Sequence, residues 1–478
     1  MKPLILCALL ALAGCSTIGT DFAAPAGANA AAYRHAASAS TDSARLPAAW
    51  WTVFNDPVLD ALEQRALRDN ASVKAAAQRL LQAQAQLSTL RAGQGPTVNV
   101  GASAANTRSS QYTAQSLALG SRVIEGNNFT LGASLSYELD LWGRVKRIVE
   151  AADAQAMASQ SERDGVTLLL SAQVANAYWQ LRGLDAEQAI LKDALAARSE
   201  AQALVEARFK GGLTNELDVS RARVERANAQ ADLHEVQRQR NLVENSLAVL
   251  VGVAPTAPVL AAVANTMLPE PPAIPVGLPA SLLSQRPDLA ASVAGLRAAN
   301  AQVAVAEGAF YPALTLTGNF GYASESLGDL TRSGARQFSF GPLALSLPVF
   351  DGGRNKANLA MSKARYGEAL ANHEGRLLTA LREVEDALSD VQQRAMQGAV
   401  QAQSQQAAAR AVQVAKARYE RGLSTYLDVT DAQRSSLAAD RSAAQIRTQR
   451  LLATVAVARS LGAGWTPQPP EATIARAN

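Results

Sequence analysis

Two stretches of this sequence contain no proline: Gly143 to Ala254, and Val349 to Thr466. Proline removes a backbone donor and clashes inside a helix, so its absence over such lengths permits helices far longer than the usual three turns. The apolar residues fit that reading. Leu170, Val174, Ala177, Leu181 and Leu184 step by 4,3,4,3, and Leu191 and Leu195 keep the register. Leu359, Lys363, Tyr366, Leu370, His373, Leu377, Ala380, Val384, Ala387 and Val391 follow the same rhythm. Steps averaging about 3.5 make a coiled-coil seam. A helix over about 145–209 would reach ~100 Å at 1.5 Å per residue, and few globular domains could enclose it. Plentiful alanine and only 5% aromatics suit long helices packed closely through small side chains.

The two runs are copies. Residues 207–219, Ala-Arg-Phe-Lys-Gly-Gly-Leu-Thr-Asn-Glu-Leu-Asp-Val, return at 417–429 as Ala-Arg-Tyr-Glu-Arg-Gly-Leu-Ser-Thr-Tyr-Leu-Asp-Val, with seven of thirteen positions identical at an offset of 210. The same offset carries Gly143-Arg144 onto Gly353-Arg354 and Lys146 onto Lys356. This is a duplicated unit, and each repeated segment joins two long helical stretches as the tip of a helical hairpin would.

Ahead of each hairpin the hydrophobic period changes from 3.6 to 2. Val98, Val100, Ala102 and Ala104 alternate with small polar residues, and Phe129, Leu131, Ala133, Leu135, Tyr137, Leu139 and Leu141 do so more clearly. The polar stretch between them, about 105–127, is expected to be a loop. Leu314, Leu316, Phe320 and Tyr322 repeat the pattern, and Phe338–Phe350 follows with its alternation shifted around Gly341-Pro342, as at a bulge. Such strands suit either a half-buried antiparallel sheet in a soluble domain or an outer-membrane barrel with lipid outside and water inside. Four strands cannot close a barrel. Two chains would bring about eight, whose interior side chains fill, and three about twelve, enough for a water-filled lumen. The expected fold class is therefore mostly α with a transmembrane β part. It is a homotrimeric twelve-stranded β-barrel continued by a twelve-helix coiled-coil α-barrel, with two internal repeats per chain.

Both cysteines fall in the first 15 residues. Lys2, an apolar run from Leu4 to Ala13, and Leu12-Ala13-Gly14-Cys15 form a secretory signal at 1–14. The last four residues resemble a bacterial lipoprotein box, which implies a lipid on Cys15. Ser16 behind it resembles the signal for outer-membrane delivery. Residues 15–48 read as a lipidated tether lying on other structure. The first repeat spans 49–254, with strands at 97–104 and 129–141 and a tip near 210–216. A linker occupies 255–280. The second repeat spans 281–462, with strands at 312–322 and 338–350 and a tip near 420–426. A tail follows at 463–478. Asp56-Pro57 predicts a capped helix start.

Several segments together resemble the TolC-like outer-membrane efflux channels, in their NodT-type lipoprotein branch. They are the lipobox, Trp50-Trp51 with Phe54-Asn55-Asp56-Pro57, Gly212-Leu213-Thr214-Asn215-Glu216-Leu217-Asp218, Gln285-Arg286-Pro287-Asp288-Leu289, Phe310-Tyr311-Pro312, and Phe350-Asp351-Gly352-Gly353-Arg354. The resemblance implies a homotrimer in the outer membrane of a Gram-negative bacterium, extending into the periplasm. It would meet a periplasmic adaptor (membrane fusion) protein and an inner-membrane transporter, and place 255–280 at the equator of the tube. It implies adaptor docking at Gly212, Leu213, Thr214, Gly422, Leu423 and Ser424. A turn needs the glycine but not an exposed leucine, which is why the tips read as both turn and docking knob.

The resemblance also implies a periplasmic gate at Leu427, Asp428 and Asp431, where three-fold symmetry would set each aspartate in a cation-attracting ring. Asp428 has a second reading, because Thr425-x-x-Asp428 is a capping box echoed by Asn215-x-x-Asp218. Asp431 has Arg221 at its duplicate position, so capping does not account for it. Asp218 and Tyr419 match positions where the family latches neighbouring hairpins, and Ser424 stands where some members carry a latching arginine.

No chemistry competes with a passive conduit. His35, His234 and His373 are scattered, no phosphate-binding loop follows a strand, and Asp351-Gly352-Gly353-Arg354 reads as a strand-to-helix turn. Glu383 and Glu385 read as solvated charge. The net charge of +4, interleaved with acids, leaves no nucleic-acid footprint. No enzyme activity and no cofactor beyond the Cys15 lipid are expected. The competing readings are a periplasmic adaptor or structural coiled-coil lipoprotein, and a duct that exports proteins.

Overall fold

The computed structural model describes residues 17–25, 33–35, 46–118, 120, 123–256, 258–260, 268–274 and 285–466. The signal peptide at 1–14, Cys15, much of the inter-repeat linker and the tail beyond 466 lie outside the described residues. In chain order a 3-10 turn, Trp50–Phe54, leads into α1 (Pro57–Asp69), α2 (Ala71–Ala92), β1 (Thr97–Arg108), α3 (Ala114–Ala118) and β2 (Glu125–Leu139). The first long hairpin is α4 (Arg144–Lys210) and α5 (Glu216–Leu250). Then come α6 (Pro287–Gly308), β3 (Ala313–Ser324), β4 (Arg336–Ser346), and the second hairpin, α7 (Arg354–Glu420) and α8 (Tyr426–Ser460). Helices α4 and α7 each run 67 residues, as their proline-free heptads require.

The repeats are not the compact units. One unit gathers Met1–Pro25, Leu80–Ser159 and Ser292–His373, and the other Ala26–Arg79, Gln160–Ala291 and Glu374–Asn478. Each repeat thus gives its strands and the start of its first long helix to the first unit, and the rest of its hairpin, tip included, to the second. The reason lies in the sheet, where strands of one repeat pair with strands of the other.

In the first unit the four strands form one antiparallel sheet in the order β1-β2-β3-β4. The register puts Val98 opposite Leu135, Ala133 opposite Phe320, Phe320 opposite Phe338, and Leu314 opposite Leu345, so one face is apolar across all four strands. The other face carries Ser103 and Thr130, whose hydroxyls share a 2.6 Å hydrogen bond, with Ser134, Asn319 and Ser339. The apolar face is open in the single chain, Val100 being 76% and Phe338 82% exposed. A soluble half-buried sheet would cover that face, so the barrel reading holds.

Strand limits differ from expectation. β1 runs on to Arg108 and β2 begins at Glu125, so both ends of the expected 105–127 loop are ladder, while its middle, around α3, connects the strands. Residues there are polar on both faces, which erases the period-2 signal while side chains still pair. Asn106 Nδ2 donates to Asn127 Oδ1 at 2.9 Å, and Arg108 meets Glu125 at 3.1 Å. β3 likewise reaches Ser324, whereas β4 stops at Ser346, two residues before Pro348, which has no N–H for a ladder. The bulge is present. Leu316 faces Leu343 and Gly318 faces Phe340, leaving Thr317 opposite both Gly341 and Pro342.

The strand-to-helix junctions are tied by side chains. Asp140 accepts the Lys146 N–H at 2.8 Å, and Asp351 accepts those of Gly353 and Asn355 at 2.9 and 2.8 Å. Trp142 donates to the Pro312 carbonyl at 2.9 Å and stacks on Tyr311 at 5.3 Å. The described residues 17–25 lie here. Ile18 is buried, its N–H bonds the Trp142 carbonyl at 3.0 Å, and buried Arg147 donates to the Ile18 carbonyl and to Asp21. His373 is buried in this unit, with Nδ1 2.8 Å from Ser292 Oγ.

The second unit packs Trp50, Trp51 and Phe54 against Tyr178 and Trp179, with Leu59, Leu62, Leu170, Val174, Leu247, Leu451 and Val455. Asp56 caps α1 by accepting the N–H groups of Val58 and Leu59, and its other oxygen takes the Tyr178 hydroxyl at 2.5 Å. Burial and that carboxylate push the Tyr178 hydroxyl up to about 12. The heptad seams are the buried faces: Leu170, Val174, Leu181 and Leu191 on α4, and Ala380, Val384 and Ala387 on α7. Glu383 and Glu385 are not solvated charge. Glu383 takes Arg286 at 2.9 Å, and Glu385 takes the backbone N–H groups of Arg34 and His35 at 2.7 and 3.1 Å, fastening the tether beside buried Tyr33.

Candidate functional site

The two hairpin tips lie in the second unit and share one construction. Gly212 and Gly422 take left-handed backbone, φ +72° and +71°. Their N–H groups bond the carbonyls of Phe209 and Tyr419 at 3.0 Å, and the next residues, Leu213 and Leu423, bond Arg208 and Arg418 at 2.9 Å. These are Schellman turns, in which a glycine closes a helix and satisfies its last carbonyls. The turn therefore accounts for both glycines. It leaves the leucines over, 78% and 64% exposed.

The caps that follow are unequal. Thr425 and Asp428 form the full box, Asp428 Oδ2 accepting the Thr425 N–H at 2.9 Å. In the first hairpin Asn215 accepts the Asp218 N–H at 3.0 Å, but Asp218 does not reach back; its carboxylate takes the Thr214 hydroxyl at 2.7 Å and lies 3.6 Å from Arg221. Asp428 is thus occupied by its own helix. Asp431 is open, its side chain 61% exposed and 3.8 Å from Arg434. Leu427, the second residue of α8, is exposed as well.

Asp218 and Tyr419 are each engaged inside the single chain, with different partners. Tyr419 packs its ring at a tilt against Tyr426, centroids 5.7 Å apart, and the Arg208 guanidinium of the other hairpin sits 4.7 Å from its ring centre. Val205, Val219, Ala222, Tyr426 and Val429 form a small core that holds the two tips together. Burial raises the Tyr426 hydroxyl above its ordinary range. The hydroxyl of Ser424 is buried without a hydrogen-bond partner.

Sequence reasoning missed the ion pairs above the tips. Glu225 of α5, almost fully buried, lies between Arg198 of α4 at 3.3 Å and Arg434 of α8, whose Nε donates at 2.8 Å. Higher up, Arg441 joins α8 to Glu187 of α4 and Asp232 of α5 at 2.7 and 3.2 Å, and Arg240 bonds Asp185 at 2.7 Å. A signal existed. Val219, Ala222, Ala229, Val236 and Leu247 mark the buried stripe of α5, and Glu225 and Arg240 fall in its register. Charges on a seam must find partners, since a lone buried charge is costly. Among the described residues no group of side chains could hold a metal ion.

This architecture has known counterparts. The family model described as outer membrane efflux protein matches residues 62–253 and 278–463. The outer membrane protein OprJ of Pseudomonas aeruginosa is 35% identical over 462 residues, covering 95% of this chain and 94% of that protein. ArpC of Pseudomonas putida, named an antibiotic efflux pump outer membrane protein, is 33% identical over 471 residues, covering 96% of this chain and 94% of its own. The solved structure of the outer-membrane channel OprN superposes with a TM-score of 0.85 at 31% identity, over 94% of this chain and 100% of that one.

Proposed function

The chain belongs to the outer membrane efflux protein family and is the outer-membrane channel of a tripartite efflux pump, and we propose that it passively conducts small toxic compounds outward. It acts as a homotrimer with a periplasmic adaptor and an inner-membrane transporter. One observation carries the channel reading: a four-stranded sheet with an exposed apolar face and two edge strands, β1 and β4, whose outer sides are unpaired among the described residues. Three copies supply about twelve strands and a lumen lined by serine, threonine, asparagine and glycine. Family membership sets aside the adaptor reading. Antibiotics, named for one relative, support small molecules over proteins as cargo. The conduit has no chemical step of its own.

Cys15 carries the lipid in this reading. The tether meets the strand-to-helix junction at Ile18, three residues on, beside Trp142 and Tyr311, residue types that favour a membrane interface. Mass spectrometry of the mature N-terminus should find acyl chains on Cys15 and none in Cys15→Ala. An unmodified wild-type cysteine would remove the anchor.

The tips dock the adaptor through Leu213 and Leu423, presented by Gly212 and Gly422 and flanked by Thr214 and Ser424. The gate lies just beyond, with Leu427 as an apolar constriction, Asp431 as the charge ring, and Asp428 chiefly a helix cap. Asp218 fixes its own tip by accepting the Thr214 hydroxyl, and Tyr419 links the two hairpins through the Arg208 guanidinium over its ring. In planar bilayers the purified trimer should conduct ions, and Asp431→Ala should lower its cation preference and its block by divalent cations. A trimer silent in every state, tip variants included, would remove the channel reading; unchanged cation preference would remove Asp431 from the gate.

A further inference from the structure

The duplication fails at the gate, and the failure has chemical content. Positions 431 and 434 of the second hairpin are aspartate and arginine, where the first carries Arg221 and Val224; Glu225 has Ser435 as its counterpart. At these two duplicate positions only α8 therefore presents an acid with a base one helical turn on. The arginine has two claimants. Its Nε donates to Glu225 at 2.8 Å and its Nη2 donates to the same oxygen, while its Nη1 stands 3.8 Å from Asp431, beyond hydrogen-bond reach. Glu225 is already held by Arg198, which also donates to the Glu225 carbonyl at 2.9 Å. The claimants sit on different hairpins, Glu225 on α5 and Asp431 on α8 beside Arg434 itself.

We propose that Arg434 is the counter-ion that sets how strongly the Asp431 ring holds a cation, because Glu225 and Asp431 compete for one guanidinium. This rests on the assignment of Asp431 to the gate. With the hairpins together, Arg434 is drawn to Glu225 and Asp431 is left free to bind a cation. When the hairpins part, Glu225 keeps Arg198 and Arg434 keeps only Asp431, so the ring loses charge as it widens. By linkage, a cation on the ring favours the arrangement with Arg434 on Glu225, that is, hairpins together. Cation affinity and aperture are then coupled through one side chain.

The experiment is planar-bilayer recording of the full-length trimer with Mg2+ added on the tip side. Glu225→Gln releases Arg434 to Asp431, and the Mg2+ concentration for half-block should rise roughly tenfold, the scale of one charge at contact distance in each subunit. Arg434→Ala should lower it by a similar factor, and Glu225→Gln with Arg434→Ala should block like Arg434→Ala alone. A simple brace between hairpins predicts otherwise, since both single changes would loosen the tips and shift block in the same direction. Shifts of the same sign, or no shift, would overturn the inference while leaving the gate assignment standing if Asp431→Ala abolishes block. Block that survives Asp431→Ala would remove both. Should Glu225→Gln fail to assemble, Arg434→Ala decides alone, because its side chain is 55% exposed and tolerant of change; unchanged or weaker block there overturns the inference.

Discussion

Replacing Leu423 with aspartate is expected to abolish pump-dependent resistance while trimers form and reach the outer membrane in normal amount. Leu423 follows the left-handed Gly422, contributes its N–H to the turn, and leaves its side chain largely in water. A backbone bond survives substitution, so the fold loses little. Burying a leucine side chain in a partner is worth about 1.5–3 kcal/mol, and a charge placed there must be desolvated instead. Multiplied over three tips, that shift exceeds what a moderate docking affinity can absorb. Leu213→Asp should act in the same direction. The measurement is drug susceptibility in cells lacking the native channel, beside the amount of SDS-resistant trimer. Wild-type resistance with Leu423→Asp would show that the adaptor docks elsewhere.

The second large effect is on stability. Glu63 of α1 is fully buried, and neither carboxylate oxygen has a hydrogen-bond partner. Burial, with the nearby Asp60 carboxylate adding to it, pushes its carboxyl up to about 9. The folded state therefore holds a proton that the unfolded chain releases near pH 4.5. The sign follows from that. A group with a raised folded value contributes fully below the unfolded value and loses stability as pH rises toward the folded one, here across about pH 4.5 to 9. At neutral pH the loss comes to about 3 kcal/mol per chain. Glu63→Gln keeps the shape and removes the titration. It should raise the unfolding midpoint of the detergent-solubilised trimer near pH 7, and do little near pH 4. A variant no more stable than wild type at neutral pH would mean that the Glu63 carboxylate finds compensation in the trimer.

Much was legible in the chain. Proline-free heptads located α4 and α7, and the bounds of α4 fell within a residue of about 145–209. Alternation located four strands, and the shift at Gly341-Pro342 located the bulge. The Schellman glycines and the Thr425–Asp428 box were written locally, because a turn and a cap depend on residues within a few positions of one another. Where signals are local or periodic, sequence suffices. It failed at the outer ends of the strands, where residues polar on both faces hid a continuing ladder. It failed again at Glu383 and Glu385, taken for surface charge but engaged by Arg286 and by the tether.

The ion pairs belong to the same class. Nothing within a few residues of Glu225 names Arg434, 209 positions away, as its partner. Helical hairpins bring such residues together only after both have formed, and which ones meet depends on how one hairpin lies against the other. Duplication and period thus determined by themselves the long hairpins, the four strands and the composition of each tip. Only the tertiary structure decided that strands of both repeats share one sheet, and that a guanidinium of the second hairpin answers a buried acid of the first. Backbone pattern is encoded along the chain, whereas charge pairing is settled by distances in space.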